Sequence, residues 1–439
     1  MIAHGVLLAC LSSVAAAGED DSWPQWRGPA LNGTSSARDL PVRWSETENV
    51  KWKVKLPSWS GSTPAIWGDR IFVPSPNAAG EGPEAKSVKN MGGARKREGV
   101  DLLLLCLSRK DGSELWRAVL PGANQHIGYQ NMSSPSPVTD GKRVWWLTGT
   151  GILTALDMNG KPLWRHDLQK AFGPFGLNWG YASSPLFYEG KIIVQVLHGM
   201  TTDDPSYLVC FDAASGKLLW KVDRPTDSPN EGPDAYTTPF PLKIGDRVHL
   251  IVSGGDYVTG HDPVTGRELW RMGGFNPTRD QFYRQICTPG AAGEILVSCI
   301  KKGPTIAFRA GGQGIVTQKN VLWTSTEILF DVPSPVSDGT HFYILGDSGL
   351  MSCVDAKTGE AKYKKERLPR GTYWASPLLA DGKIYVTNTE ARTTVLAAGP
   401  EFKVLSENKL DDDYTLSSIA VSGPNLFIRT SKALYCIGP

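Results

Sequence analysis

Short apolar runs alternate along the chain with tight polar breaks, and the alternation itself repeats. The stretch from Ala182 to Val222 shows the unit most clearly. Ser183-Ser184-Pro185 opens a first strand, Glu189-Gly190-Lys191 turns into a second over residues 192–196, and a third follows at 207–211. Ala214-Ser215-Gly216 then turns into a fourth strand, which carries Trp220. β-Branched and aromatic runs bounded by Gly, Pro, Asp and Ser are strand signals, and connections this tight make antiparallel hairpins. A lone four-stranded unit leaves its apolar faces wet, so it needs neighbours of the same kind.

Such neighbours are present. Units begin at Ser62-Thr63-Pro64, Ser133-Ser134-Pro135 (with Ser136-Pro137 as an alternative register), Ser183-Ser184-Pro185 and Thr237-Thr238-Pro239. They continue at Thr288-Pro289, Pro333-Ser334-Pro335, Ser376-Pro377 and Ser417-Ser418. An aromatic recurs on the fourth strand: Trp116, Trp164, Trp220, Trp270 and Trp323, with Tyr363 in the sixth unit. In the seventh unit the fourth strand is placed at residues 402–405. The eighth unit ends after its third strand, whereas residues 49–55, NVKWKVK with Trp52 at the centre, form a fourth strand that has no unit. One end supplies what the other lacks. The predicted fold is therefore all-β: an eight-bladed β-propeller of four-stranded antiparallel blades, its ring closed by the N-terminal strand completing the last blade. Closure removes exposed sheet edges. The seven repeated aromatics are read as structural, packing blade against blade.

Composition agrees with many turns: 47 Gly and 31 Pro in 439 residues, with 41% apolar. The formal net charge of +2, from 46 basic and 44 acidic residues, gives no nucleic-acid footprint. Residues 1–17, MIAHGVLLACLSSVAAA, read as a signal peptide cleaved near Ala15-Ala16-Ala17, which implies export to the periplasm or cell envelope. Leu7-Leu8-Ala9-Cys10 also resembles a lipoprotein box, so a lipid anchor at Cys10 is the alternative. No later run is apolar enough to span a bilayer as a helix. Residues 18–48, rich in Trp, Pro and Gly, form an extension expected to pack irregularly on the propeller, which spans 49–439 as a single unit and is expected to be monomeric. Residues 77–100 are a polar loop insertion in the first blade, whose basic stretch at 86–97 is read as solvated and not as a polymer-binding patch. A smaller insertion, 198–206, falls at the same point of the third blade. Cys106, Cys210, Cys353 and Cys436 share one repeat position and read as small buried hydrophobes. Whether Cys287 and Cys299 pair is not set by their spacing.

The pattern A-x-D-x-x-[ST]-G-x-x-x-W, as in Ala155-Leu156-Asp157…Gly160…Trp164 and in Asp212…Gly216…Trp220, resembles the tryptophan-docking repeat of pyrrolo-quinoline quinone (PQQ) enzymes and their non-enzymatic relatives. Trp23-Pro-Gln-Trp26-Arg27-Gly28-Pro29 is similar to the N-terminal motif of exported bacterial PQQ-binding-like β-propeller proteins. This family resembles in architecture the propeller subunit of the outer-membrane β-barrel assembly machinery, a lipoprotein scaffold without cofactor. The resemblance covers residues 49–439 and implies the fold. It leaves two functions open: a non-enzymatic binding or scaffold module, or a PQQ- and Ca²⁺-dependent dehydrogenase.

Blade geometry gathers the connections between successive blades on one face, and each carries an aromatic. The candidate ligand-face residues are Trp59, His126, Tyr129, Asn178, Trp179, Tyr181, Tyr236, Asp280, Tyr283, Arg284, Arg370, Tyr373, Trp374 and Tyr414. They either build a ligand mouth for an envelope protein, a small molecule or a polymer, or pack loop on loop. A dehydrogenase needs an aromatic platform, for which Trp179 or Trp374 would serve, and oxygen ligands for a divalent ion, drawn from Asn178, Asn131, Asp280 or Asp331. No Cys-Cys pair and no C-x-x-C-H occurs, which weighs toward the binding module, and no metal, cofactor or catalytic residue is assigned. No H-E-x-x-H, G-x-S-x-G or Walker motif is present.

Overall fold

The repeat unit folds as its pattern requires, and the unit from Ala182 to Val222 shows how. In this computed structural model, which describes residues 21–77, 96–97, 100–127, 130–410 and 414–439, the strands Leu186–Tyr188, Lys191–Val196, Tyr207–Asp212 and Leu218–Asp223 pair as one antiparallel blade. The two middle strands are almost wholly buried and the outer one is half wet. Eight such sheets form the ring. In the last, Val50–Lys55 pairs antiparallel with Ala433–Ile437 and supplies the missing outer strand. The predicted signal and the alternative anchor at Cys10, Tyr129, and most of the 77–100 insertion lie outside the described residues. No helix among the described residues is long and apolar enough to cross a membrane.

Each element of the repeat has a physical task. Asp212 Oδ1 accepts from Ser215 N at 2.7 Å and Ser215 Oγ at 2.6 Å, which fixes the turn between the third and fourth strands and holds the carboxyl below its ordinary range. Asp355 does the same for Lys357 and Thr358. The glycine that follows has positive φ, +84° at Gly160 and +72° at Gly216. The indole of the preceding blade lies over it: a Cβ on Gly160 would sit 2.7 Å from the Trp116 ring, and one on Gly216 would sit 2.7 Å from Trp164. Trp52 over Gly112, Trp220 over Gly266 and Trp323 over Gly359 repeat the contact. Trp116 Nε1 also donates to Met158 O of the next blade at 2.9 Å, and Trp52 Nε1 donates to Arg109 O at 3.1 Å across the ring closure.

The repeated cysteines sit opposite these aromatics. Cys106 pairs across strands with Trp116, Cys210 with Trp220, Cys353 with Tyr363 and Cys436 with Trp52. They are the small residues that leave room for the ring, and burial pushes the thiols up, to about 11 at Cys106 and about 12 at Cys210. Each of these outer strand pairs also has a register shift at the aromatic, a bulge that turns the outer strand.

Two readings need correction and a third takes a different form. The second blade starts at Ser136-Pro137 and not at Ser134-Pro135, because its inner strand is Val138–Thr139. The outer strand of the seventh blade is Val404–Lys409, with Ser406 opposite Val395 where the other blades have an aromatic. Trp44 of the extension compensates: it stacks on Tyr385 of that blade at 6.4 Å and is buried in the cluster that runs on into the eighth. Trp270, finally, meets Phe308 of the fifth blade edge-to-face at 6.4 Å but has no docking turn, and it also bonds within its own blade. Its Nε1 donates to His249 Nδ1 at 2.9 Å, and its strand is covered by Gly314–Ile315, which pairs parallel to it. The irregular fifth blade sends that segment back instead of offering an Asp-x-x-Thr-Gly turn.

Two features close the ring from inside. The Ser/Thr before each proline forms a belt. Thr63 N donates to Ser136 Oγ at 2.9 Å, Ser136 N to Ser184 Oγ at 2.9 Å, and Ser184 N to Thr238 Oγ1 at 3.2 Å. The belt continues through Thr288, Ser334, Ser376 and Ser418, and Ser417 Oγ donates to Ser62 O at 2.9 Å across the seam. The extension, for its part, crosses the far end of the axial channel. Trp23 exchanges backbone bonds with Ile66, Pro24 O accepts from Thr139 N, Gln25 Oε1 accepts from Phe187 N, and Gly33 O accepts from Leu379 N. Inner strands of four blades are thereby tied to one segment. Arg27, fully buried, donates through Nη2 to Pro335 O at 2.6 Å, and burial lowers its pKa to about 9.

Candidate functional site

The belt and the extension leave one large cavity on the axis, about 490 Å³, on the face where the blade connections gather. Trp26 of the extension lines it together with belt residues Ser334, Ser376 and Ser418. Its walls come from successive blade connections, with Trp179, Tyr236, Arg284 with Ile286, Asp331 and Trp374, and from the loops after the second strands of the fifth and sixth blades, with Lys301 and Asp347.

One wall is locked by charge and ring contacts. Trp179 Nε1 donates to Glu231 Oε1 at 2.8 Å, and the same oxygen accepts an ion pair from Arg284 at 3.1 Å. The Arg284 guanidinium lies 5.7 Å from the Trp179 ring centre and 5.9 Å from that of Tyr236. Tyr236 OH accepts from Trp179 N at 3.2 Å. Three connections are thus braced in one orientation before any ligand arrives. Behind them Asp234 accepts from Asn178 N at 2.7 Å, Gly199 N at 3.0 Å and Met200 N at 3.1 Å, tying the 198–206 insertion to the wall. Burial raises that carboxyl to about 6.

The adjoining wall holds a buried carboxyl. Asp331 Oδ1 is buried without a hydrogen-bond partner. Burial first, and then the charge of Asp347, push its pKa up to about 7 against the opposing pull of Arg284 and Lys301. Asp347 is also raised by burial, while its Oδ1 accepts from Asp331 N at 3.2 Å and Val332 N at 3.1 Å. The cavity therefore combines indole planes, two cationic groups and a carboxyl able to take or release a proton near neutral pH.

Of the sequence candidates, Trp179, Tyr236, Arg284 and Trp374 line the cavity. Asn178 stands just behind it through its backbone. Tyr181 is buried in the third blade, its OH donating to Gln195 O, and Tyr373 is buried with its OH on Pro369 O. Trp59 and His126 meet edge-to-face at 5.3 Å over the first blade. Asp280 caps its own loop by accepting from Phe282 N, and Tyr283 borders a separate small cleft of about 170 Å³. Arg370 is exposed, and Tyr414 is half-buried in the last connection. Asn131 is spent on Trp59 O and Ser133, so its amide is closed to a ligand. Trp26, Glu231, Lys301 and Asp347 went unread as site residues; their only signal was the W-P-Q-W-R-G-P motif around Trp26.

The family model described as "Outer membrane protein assembly factor BamB" matches residues 101–273 and 254–400. The chain belongs to this family. Within the BamB family it is similar in structure to BamB of Moraxella catarrhalis, with a TM-score of 0.58 at 16% identity over 88% of this chain and 98% of that one. It is also similar to the quinohemoprotein alcohol dehydrogenase of Comamonas testosteroni, with a TM-score of 0.66 at 11% identity over 97% of this chain and 81% of that one. At these identities the likeness is one of fold. A polyvinylalcohol dehydrogenase of a Pseudomonas species is 25% identical over 222 residues, 46% of this chain and only 29% of that protein. A BamB-family propeller thus shares its fold with both a named assembly factor and named dehydrogenases.

Proposed function

We propose that this BamB-family propeller is exported to the cell envelope, where it binds a ligand in its axial cavity and offers the surrounding loop face to an envelope partner. The observation that carries this reading is the braced wall of Trp179, Glu231, Arg284 and Tyr236, which presents flat apolar surface and fixed charge without needing a cofactor to organise it. Preformed cavities of this size with aromatic walls and few polar groups take small molecules or short polymer segments. Indole faces and a rim of hydroxyl and carboxyl groups suit a polyol or a saccharide.

Asp331 favours a second reading, a quinoprotein-type oxidoreductase. Trp179, Trp374, Arg284 and Lys301 are the cavity residues that would hold PQQ, the indoles offering apolar surface and the cations a charge match for its carboxylates. When bound it would act as the acceptor of the substrate's electrons. Asp331 would hold or release a proton at the cavity wall. The cation fits less well: Ca²⁺ takes six to eight oxygens, Asp331 and Asp347 are the carboxylates at hand, and no group of three His, Cys, Asp or Glu side chains among the described residues is placed to hold a metal.

The test is a titration of the purified full chain, followed by tryptophan emission, with PQQ, with PQQ plus Ca²⁺, and with a panel of oligosaccharides and polyvinyl alcohol. Dye reduction by alcohols and aldoses is measured in parallel. Saturable binding of a polyol or saccharide that is lost in Trp179→Ala, with no dye reduction, supports the binding propeller. Saturation by PQQ with turnover that is lost in Asp331→Asn would overturn it in favour of the oxidoreductase.

A further inference from the structure

Two thiols meet at the wall of the cavity. Cys287 and Cys299 lie with Sγ atoms 3.9 Å apart, each 1% exposed. The other described cysteines are occupied elsewhere, each opposite an aromatic of its own blade. Among the described residues the one sulfur in contact with Cys287 is Cys299, and once the blade has folded burial keeps thiols of other molecules away. Both flank cavity-lining positions: Ile286 precedes Cys287, and Lys301 lies two residues after Cys299. Cys287 N donates to Asp331 O at 3.1 Å, and Cys299 Sγ donates to the neighbouring Phe330 O at 2.8 Å. Arg27, whose Nε and Nη1 have no hydrogen-bond partner, is near enough to Cys287 to interact with it electrostatically.

We propose that Cys287 and Cys299 are oxidised to a disulfide as the fifth blade folds, and that this bond sets the position of the Phe330-Asp331 connection at the cavity wall. The part concerning the compartment rests on the export reading above, since only an oxidising compartment maintains such a bond. In the reaction the Cys287 thiolate attacks the disulfide of an oxidised dithiol carrier and displaces one carrier thiolate. Cys299, after losing its proton, attacks the resulting mixed disulfide and releases the second. Two protons and two electrons leave the protein, and the carrier is left as its dithiol. Oxidation also removes the hydrogen that Cys299 donates to Phe330 O, so the connection carrying Asp331 must resettle.

The experiment uses the full chain refolded in a glutathione redox buffer, acid-quenched, alkylated in denaturant and mapped by mass spectrometry. The expected result is that Cys287 and Cys299 are recovered joined and unlabelled until reduced, while Cys106, Cys210, Cys353 and Cys436 are labelled. Labelling of Cys287 and Cys299 to the same extent as the others overturns the bond. A second measurement compares thermal midpoints. Closing a loop of this length shifts the midpoint by about 3 °C for a chain of this size, so reductant should lower the wild type by that amount and leave the Cys287→Ser, Cys299→Ser double variant unmoved. Finally, the pH midpoint of tryptophan emission set by Asp331 should differ between oxidised and reduced protein, and an unchanged midpoint overturns the link to the cavity. None of these readouts requires a bound ligand, so the cross-link stands or falls separately from the binding reading.

Discussion

Replacing Gly160 with Ala tests why the repeat has its glycine. Gly160 has a φ of +84°, where an L residue is strained, and a new Cβ would lie 2.7 Å from Cδ2 and 2.8 Å from Cε3 of Trp116. Left-handed backbone costs about 1–2 kcal/mol for a residue with Cβ. Overpacking against a ring held by its own hydrogen bond to Met158 O adds about 1–3 kcal/mol. The sum is about 2–5 kcal/mol. At about 2.1 cal/mol/K per residue, an unfolding entropy for 439 residues of about 0.9 kcal/mol/K converts this to a fall in thermal midpoint of about 2–5 °C. The assay is circular dichroism melting of four proteins: wild type, Gly160→Ala, Trp116→Ala and the double variant. Removing the indole abolishes the clash but not the backbone strain, so Gly160→Ala should cost about 1–3 kcal/mol less in the Trp116→Ala background. Equal costs in both backgrounds would refute the claim that the indole dictates the glycine.

The belt predicts that Ser184→Ala, which orphans Ser136 N, lowers stability by about 1–3 kcal/mol in thermal melts, whereas the same change at exposed Ser215 should cost less. Ring closure predicts that deleting residues 49–55 lowers the midpoint as much as deleting the outer strand of an interior blade; a negligible change rules out the closure. Asp331 has a folded pKa raised to about 7, well above its unfolded value near 3.9, so its protonated form is the one the fold favours. Its contribution to stability is full below the unfolded value and is lost as pH rises through about 7. Asp331→Asn should therefore raise the melting midpoint more at pH 8 than at pH 5, and it should remove the tryptophan-emission transition near neutrality.

The architecture was legible because it is repeated. The Asp, Gly and aromatic of one blade recur at a fixed interval, and the unpaired strand at Trp52 matches the one gap in the pattern, in the eighth blade. Where the repeat lapses, reading fails for a physical reason. Trp270 kept the motif's spacing, but the partner turn it needed belongs to the irregular fifth blade, and no residue near Trp270 reports that. Ser406 shows the converse: the aromatic missing there is supplied by Trp44, hundreds of residues earlier in the chain. The cavity extends this logic. Periodicity identifies what all blades share, and shared residues build the ring and its belt of hydroxyls. A site that acts on one ligand must instead differ around the axis. Lys301, Asp331 and Asp347 each occur once, at the ends of different strands, and the packing of the fifth blade on the sixth brings them to one wall. Trp26 reaches the same cavity from a segment with no repeat at all. The carboxyl of Asp331 acquires its raised pKa first from burial in this cavity and then from the charge of Asp347, which the sixth blade itself supplies. Its proton affinity is thus a property of the folded cavity wall, and unfolding the chain in denaturant should return the neutral-pH emission transition toward the ordinary carboxylate range.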